Sequence, residues 1–226
     1  MSFFDQPLPR FPLTAVSDYR LMAKGRLPKQ LFDFLDGGAF DEVTLRENRE
    51  DFQRIRLKRR VLKDVSSIDM RTEILGQKLA FPLILAPVGF AGMFARRGEV
   101  QAAKSAAKAQ IPFSLSTMGI CSIEEVAQNS PAPFWFQFYM FKNREHSLDL
   151  LQRAHAAGCP VLLLTADLPV AGARRRYQRS RKTSPFASFL DTIVHLGWWA
   201  DVRLRGRPLT IGNLPRLAPM LTDLPS

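Results

Sequence analysis

Short, wholly apolar runs alternate with amphipathic stretches from Phe81 onward. Phe81–Thr117 reads FPLILAPVGFAGMFARRGEVQAAKSAAKAQIPFSLST. Pro82–Ala86 has the pattern of a strand buried on both faces, and Pro87, Gly89 and Gly92 follow it closely. Gly98–Gln110 predicts an Ala-rich helix, with Val100, Ala103 and Ala107 inward and Glu99, Lys104 and Lys108 outward. Ile111–Leu115 is a second apolar run. Strand, loop, helix and strand in this span define a βαβ unit and a parallel sheet.

The alternation continues downstream. Ser122 and Glu125 fit a capping box that opens a helix to Gln128. Phe134–Tyr139 predicts the third strand. Asn143 can cap the next helix, whose inward face is expected at Leu148, Leu151 and Ala154 and whose stop is Gly158. Val161–Thr165 predicts the fourth strand. Residues before Phe81 read differently. Ala15–Gly25 predicts a helix anchored by Leu21 and Met22. Pro28 opens a second helix that runs to Asp36 and stops at Gly37-Gly38. Asp41 is expected to cap a third, with Leu45 and Phe52 inward. Met70–Leu75 and Lys78–Leu79, around Gly76-Gln77, predict a hairpin.

The four strands end at Ala86-Pro-Val-Gly89, Ser116-Thr117, Gln137 with Tyr139, and Thr165-Ala-Asp167. In a (β/α)8 barrel the chemistry sits at such ends. LAPVGFAGMFARRGEVQAAK, IPFSLSTMGICSIEEV, WFQFYMFKNR, LLLTADLPVAGARRR and GRPLTIGNL, in this order, resemble the FMN-dependent α-hydroxy acid dehydrogenase/oxidase family, above all its bacterial L-lactate dehydrogenase branch. LPKQLFDFLDGGAFDEVTLRENREDF resembles that branch's N-terminal region. The expected fold is α/β: a partial TIM (β/α)8 barrel of about the first four βα units, with an N-terminal helical and hairpin extension. The expected domains are 1–80 (helices and hairpin), 81–170 (the four βα strands) and 171–226 (a basic and amphipathic insertion).

The resemblance implies FMN as cofactor and oxidation of L-lactate or a similar 2-hydroxy acid to the 2-oxo acid. It implies Pro87, Val88 and Gly89 along the flavin ring, and Ser116, Gln137 and Thr165 at its polar edge. Taken singly, each of those three polar residues also reads as one satisfied at a strand terminus. Tyr139 and Arg174 match substrate-binding positions; Arg suits two-pronged pairing with a carboxylate. Alone, Arg174 also reads as one solvated charge of a basic run. Asp167 matches the acid that supports the catalytic histidine, and otherwise caps a turn before Pro169. Phe34 stands where the family carries a substrate-binding tyrosine and cannot donate that hydrogen bond; without the resemblance it reads as a core residue. His146, His155 and His195 all lack the context of the family's catalytic histidine. The resemblance places that histidine, its neighbouring Arg, the flavin-binding Lys and the phosphate site late in the barrel. The chain is therefore expected to be inactive unaided, whether as an N-terminal fragment, as half of a split enzyme, or as a non-catalytic membrane-associated module. Oligomer formation is open for the full-length family member.

Charge and cysteine content narrow the rest. Cys121 and Cys159 have no metal spacing and suggest no disulfide framework, which favours a reducing compartment. No metal site is expected. Met1–Leu13 lacks the apolar core of a signal peptide, and no run of about twenty apolar residues spans a membrane. The formal charge is +11, concentrated in Arg54–Arg60 and Arg174–Lys182. Without a nucleic-acid motif or aromatic stacking array, these runs read as solvated faces or as attraction to anionic headgroups, not as a nucleic-acid site. Pro185–Arg207 predicts a helix with Phe186, Phe189, Leu190, Ile193, Val194 and Trp198 on one face. Flanking cations and Trp198-Trp199 suit a bilayer interface. The expected location is cytoplasmic, peripheral on the inner face of the cytoplasmic membrane, with electrons passing to the quinone pool; the alternative is a helix packed on protein.

Overall fold

The computed structural model describes residues 12–167, 170, 172–181, 191, 193–206 and 208–214. These divide into two compact units, one of 70–170 with 201–214 and one of 12–69 with 172–200.

The first unit is α/β. It opens with a hairpin, β1 (Thr72–Ile74) against β2 (Gln77–Leu79). Leu75 (φ 51°) and Gly76 (φ 76°) make the turn. Two successive positive φ values match the right-handed twist of the flanking strands, so Gln77 belongs to the strand and not to the turn. A parallel sheet follows in the order β3 (Ser114–Ser116), β4 (Trp135–Tyr139), β5 (Leu162–Thr165). The predicted first strand contributes a single parallel bridge, Leu85 to Phe113. Leu85 N–H donates to Pro112 C=O and Ser114 N–H to Leu85 C=O; Pro87, the next position facing that side, has no N–H to extend this pairing, and Leu83 N–H donates to Phe81 C=O.

Between the strands lie α4 (Ala91–Phe94), α5 (Gly98–Lys108), α6 (Ile123–Asn129) and α7 (Arg144–Ala156). Ser122 Oγ accepts from Glu125 N–H at 3.2 Å and starts α6. Asn143 Oδ1 accepts from Glu145 and His146 and starts α7. Phe134, Phe136 and Phe138 alternate along β4 and pack with Val100, Ala103, Ala106, Val126 and Leu150 in the core. The same face continues onto β5 as Leu162 and Leu164, opposite Phe136 and Phe138, and both of these are exposed.

Helix phase departs from expectation twice. In α7 the buried positions are Ser147, Leu150 and Ala154, while Leu148 faces solvent and Leu151 is partly covered. The Ser147 hydroxyl accepts from Phe141 N–H at 3.1 Å, which fixes the first turn against the strand exit. In α5, Glu99 points inward and is buried, and Ala106 replaces Ala107 as the buried alanine.

The second unit is helical: α1 (Val16–Arg26), α2 (Lys29–Asp36), α3 (Val43–Arg54), α8 (Arg175–Arg181) and the single turn α9 (Leu196–Trp198). A π-helical turn, Trp199–Leu204, runs on from α9. Neither α1 nor α3 buries a residue, so Leu21 and Phe52, expected inward, are exposed. α3 is preceded by Glu42 in the left-handed region, and Asp41, expected as its cap, pairs instead with Arg175. Charge holds this unit together. Arg20 and Arg176 both pair with Asp36, and Arg176 also bonds Glu42 at 2.8 Å. The Arg20 hydrogen bond, with Arg176, holds the Asp36 carboxyl below its ordinary range, and Arg176 does the same for Glu42.

Candidate cofactor site at the strand ends

Strand alternation puts the Phe residues of β4 on the core face and Gln137 and Tyr139 on the other. On β3 the core takes Leu115 and leaves Ser116 on the Gln137 side. On β5 Thr165 lies opposite Tyr139. Side-chain hydrogen bonds then join the three strands. Ser116 Oγ donates to Gln137 Oε1 at 3.2 Å, and Gln137 Nε2 donates to Thr165 Oγ1 at 2.8 Å. Thr117 N–H also donates to Gln137 Oε1, and its hydroxyl to Gln137 C=O. Met118 N–H donates to Ser116 Oγ at 3.2 Å. Ser116 and Gln137 are buried and Thr165 is half-buried.

Gly89 borders this row. A Cβ placed on Gly89 would sit 3.3 Å from Met118 Cβ and 3.9 Å from Ser116 Oγ. Only glycine gives the backbone that approach without displacing Met118. Pro87 is half-buried beside it and Val88 is exposed. Tyr139 closes β4; burial, and then the charge of Asp167, push its phenol above the usual range. Asp167 itself is exposed. Pro87, Val88, Gly89, Ser116, Gln137, Tyr139, Thr165 and Asp167 thus share the first unit.

Phe34 and Arg174 belong to the second unit. Arg174 donates to Phe34 C=O at 2.8 Å, and its guanidinium carbon stands 4.8 Å from the centre of the Phe34 ring. Phe34 also meets Tyr177 edge-on at 5.3 Å. His146 and His155 lie on α7, and His195 is held by Asp191. Among the described residues no His/Cys/Asp/Glu cluster could hold a metal ion.

Two buried side chains that the sequence pattern had not singled out support the loop after β3. Glu99 Oε1 accepts from Gly92 N–H at 3.0 Å and Ile120 N–H at 2.8 Å. Asn213 Oδ1 accepts from Ile123 N–H at 2.8 Å, while its Nδ2 donates to Ser116 C=O and Thr117 C=O. The signal for Asn213 was its place in GRPLTIGNL; for Glu99 there was none. Cys121, in the same loop, is fully buried, and burial together with Glu99 pushes its thiol up to about 12.

Such a row of hydroxyl and amide groups, beside close backbone at the end of a parallel sheet, combines hydrogen-bond donors and acceptors along one edge. Residues 23–217 match the family model described as FMN-dependent dehydrogenase, and the chain belongs to that family. It is 46% identical over 215 residues to the L-lactate dehydrogenase of Pseudomonas syringae pv. syringae (strain B728a), covering 94% of this chain and 57% of that protein. It is 47% identical over 205 residues to the L-lactate dehydrogenase of Vibrio parahaemolyticus serotype O3:K6 (strain RIMD 2210633), covering 89% and 54%. The crystal structure of the monotopic membrane protein (S)-mandelate dehydrogenase superposes with a TM-score of 0.85 at 34% identity, over 95% of this chain and 57% of that one. The chain thus spans a little over half the length of the curated relatives it matches. The family's cofactor is FMN. The residues present fit it: Ser116, Gln137 and Thr165 offer both donors and acceptors, as a pyrimidine-type edge requires.

Proposed function

We propose that this chain carries the flavin-ring side of an FMN-dependent dehydrogenase that oxidises L-lactate, or a similar 2-hydroxy acid, to the 2-oxo acid. Its sheet is read as about the first four βα units of a barrel, with 1–80 as the N-terminal extension and 171–226 as an insertion. The observation that carries this reading is the hydrogen-bonded row Ser116–Gln137–Thr165 at the ends of three parallel strands. FMN, when bound, supplies the electron acceptor for the substrate carbon. Gln137 presents its amide to the flavin's polar edge, already oriented by Ser116 and Thr165. Pro87, Val88 and Gly89 line the ring. Tyr139, with a phenol that stays protonated through neutral pH, donates to the substrate oxygen. The family resemblance assigns Arg174 to a carboxylate and puts Phe34 in the place of a substrate-binding tyrosine, without its hydroxyl. Asp167 orients and stabilises the imidazolium of a histidine that takes the hydroxyl proton. The three histidines of the given sequence stand outside that sequence context, so the proposed reaction draws its histidine from residues other than these.

The test is complementation. Alone, the purified chain is expected to carry FMN far below stoichiometry. Co-expressed with the remaining part of the Pseudomonas syringae relative, it is expected to show a flavin spectrum and lactate-dependent dye reduction, both lost in Gln137→Leu. Near-stoichiometric flavin in the isolated chain would overturn the expectation that these residues hold FMN only weakly by themselves. Neither flavin nor activity in the complemented pair would overturn the enzyme reading.

A second reading concerns location: peripheral attachment to the inner face of the cytoplasmic membrane, with electrons leaving to the quinone pool. Exposed Ile193, Val194 and Leu196, with exposed Arg203 and Arg205 following, support it. Trp198, expected on the same apolar face, is buried instead; Phe186, Phe189 and Leu190 lie outside the described residues. Among the described residues no helix is long and apolar enough to cross a membrane. Val194→Asp/Leu196→Asp is expected to abolish co-sedimentation with anionic liposomes at low salt. Unchanged binding of that variant, or no binding by the parent, would sink the idea.

A further inference from the structure

The geometry points to Asn213 as a positioning residue for the proposed flavin edge, acting from a segment nearly a hundred positions downstream of Ser116. This inference rests on the reading of Ser116 and Gln137 as flavin-facing. Thr117–Ser122 links β3 to α6, and its backbone must be satisfied although it is largely buried. Two side chains do this from different parts of the chain. Glu99 accepts the Ile120 N–H, and Asn213 takes both ends of the loop: the Ser116 and Thr117 carbonyls at 3.3 Å and the Ile123 N–H at 2.8 Å. An amide is the only neutral side-chain group that accepts from one peptide and donates to two others at once. Asn213 is 1% exposed, so each of these bonds is made away from water.

The approach is backbone against backbone. Gly212 N–H donates to Gly119 C=O at 3.0 Å. A Cβ at Gly212 would fall 2.5 Å from Ser122 N and 2.7 Å from Ile120 O. Arg153, held by Glu124, donates to Asn213 C=O at 3.1 Å and fixes the segment from its other side. Leu214 then enters the core. Fixing the Ser116 and Thr117 carbonyls fixes the peptides whose N–H and hydroxyl groups orient Gln137 Oε1. Asn213 therefore sets the row without being part of it.

Hydrogen–deuterium exchange on the full chain tests this directly, with Asn213→Ala, Asn213→Asp and Gly212→Ala beside the parent. Asn213→Ala is expected to speed exchange across 117–123 by about tenfold or more, with α5, α7 and β4 within about twofold of the parent. Asn213→Asp keeps the acceptor for Ile123 N–H, so Ile123 stays slow while exchange nearer Thr117 rises. Gly212→Ala, which levers the segment away, is expected to reproduce Asn213→Ala. Loop exchange unchanged in Asn213→Ala, or a rise spread equally over α5, α7 and β4, would overturn the proposal. FMN titration followed by flavin fluorescence separates the two claims. In the pair complemented with the remaining part of the Pseudomonas syringae relative, Asn213→Ala is expected to weaken FMN binding about tenfold, and unchanged affinity would count against positioning. No FMN affinity in the complemented pair overturns the flavin reading, and the exchange pattern still decides the clamp.

Discussion

The two units solve the same problem by different physics. The first buries Phe134, Phe136 and Phe138 between helices and spends its polar side chains on defined hydrogen bonds at the strand ends. The second contains two helices that bury nothing, and it relies on Arg20, Asp36, Arg176 and Glu42. Apolar burial is insensitive to charge state, whereas partly solvated ion pairs weaken with acid and salt. The Ser116–Gln137–Thr165 row thus belongs to the unit held by apolar burial, and the basic segment from Arg174 to the unit rich in ion pairs.

Breaking the first unit has the largest expected effect. Phe136→Ala removes a fully buried ring and is expected to cost about 3–5 kcal/mol in a urea titration. A cost below about 1 kcal/mol would mean that this core does not hold the unit. Next, Leu150→Ala is expected to cost about 2–4 kcal/mol, against less than about 0.5 kcal/mol for exposed Leu148→Ala. The reverse order would show that α7 faces the other way. Arg176→Ala is smaller, about 1 kcal/mol, because the side chain is partly solvated. It should speed exchange in α2 and α8 and leave β4 unchanged.

Acid should separate the units more gently. Asp36 and Glu42 titrate below their ordinary 3.8 and 4.5, so their pairs stabilise fully above those values and lose that contribution as pH falls through the lowered folded values. Glu124 in the first unit is likewise held down, to about 2, by Arg153, but the unit around it rests on apolar burial that acid leaves unchanged. Lowering the pH from about 6 to about 3 should open α2 and α8 to exchange before β4 and α7. Simultaneous opening would erase the distinction.

Much of this was legible in the sequence because it is local. Ser122 and Asn143 announce their helices by capping chemistry that acts over three residues. The strand ends follow from period-2 burial, and the polar residue at each end stands out against an apolar run. What was hidden depends on distant chain. A glutamate in the first turn of a helix reads as solvent-facing; Glu99 turns inward because the Gly92 and Ile120 amides arrive there without other acceptors. Leu148 and Leu150 are equally apolar, and Leu150 is the one covered because it packs in the core on the side where Ser147 bonds Phe141. The first strand looked as apolar as the others, yet among the described residues pairs only at Leu85, because Pro87 has no N–H to give and Leu83 gives its own to Phe81.

The loop thiol has a practical consequence for labelling chemistry. Alkylating reagents react with the thiolate, and a thiol held at about 12 beneath a closed loop presents almost none of it at neutral pH. Cys121 is therefore a silent reporter. Its modification by a maleimide in the native protein can proceed only in the moments when the loop between β3 and α6 lifts. The labelling rate of Cys121 then times that lifting, in an assay that needs no engineered probe; Cys159, partly exposed and held at about 11, supplies the internal reference.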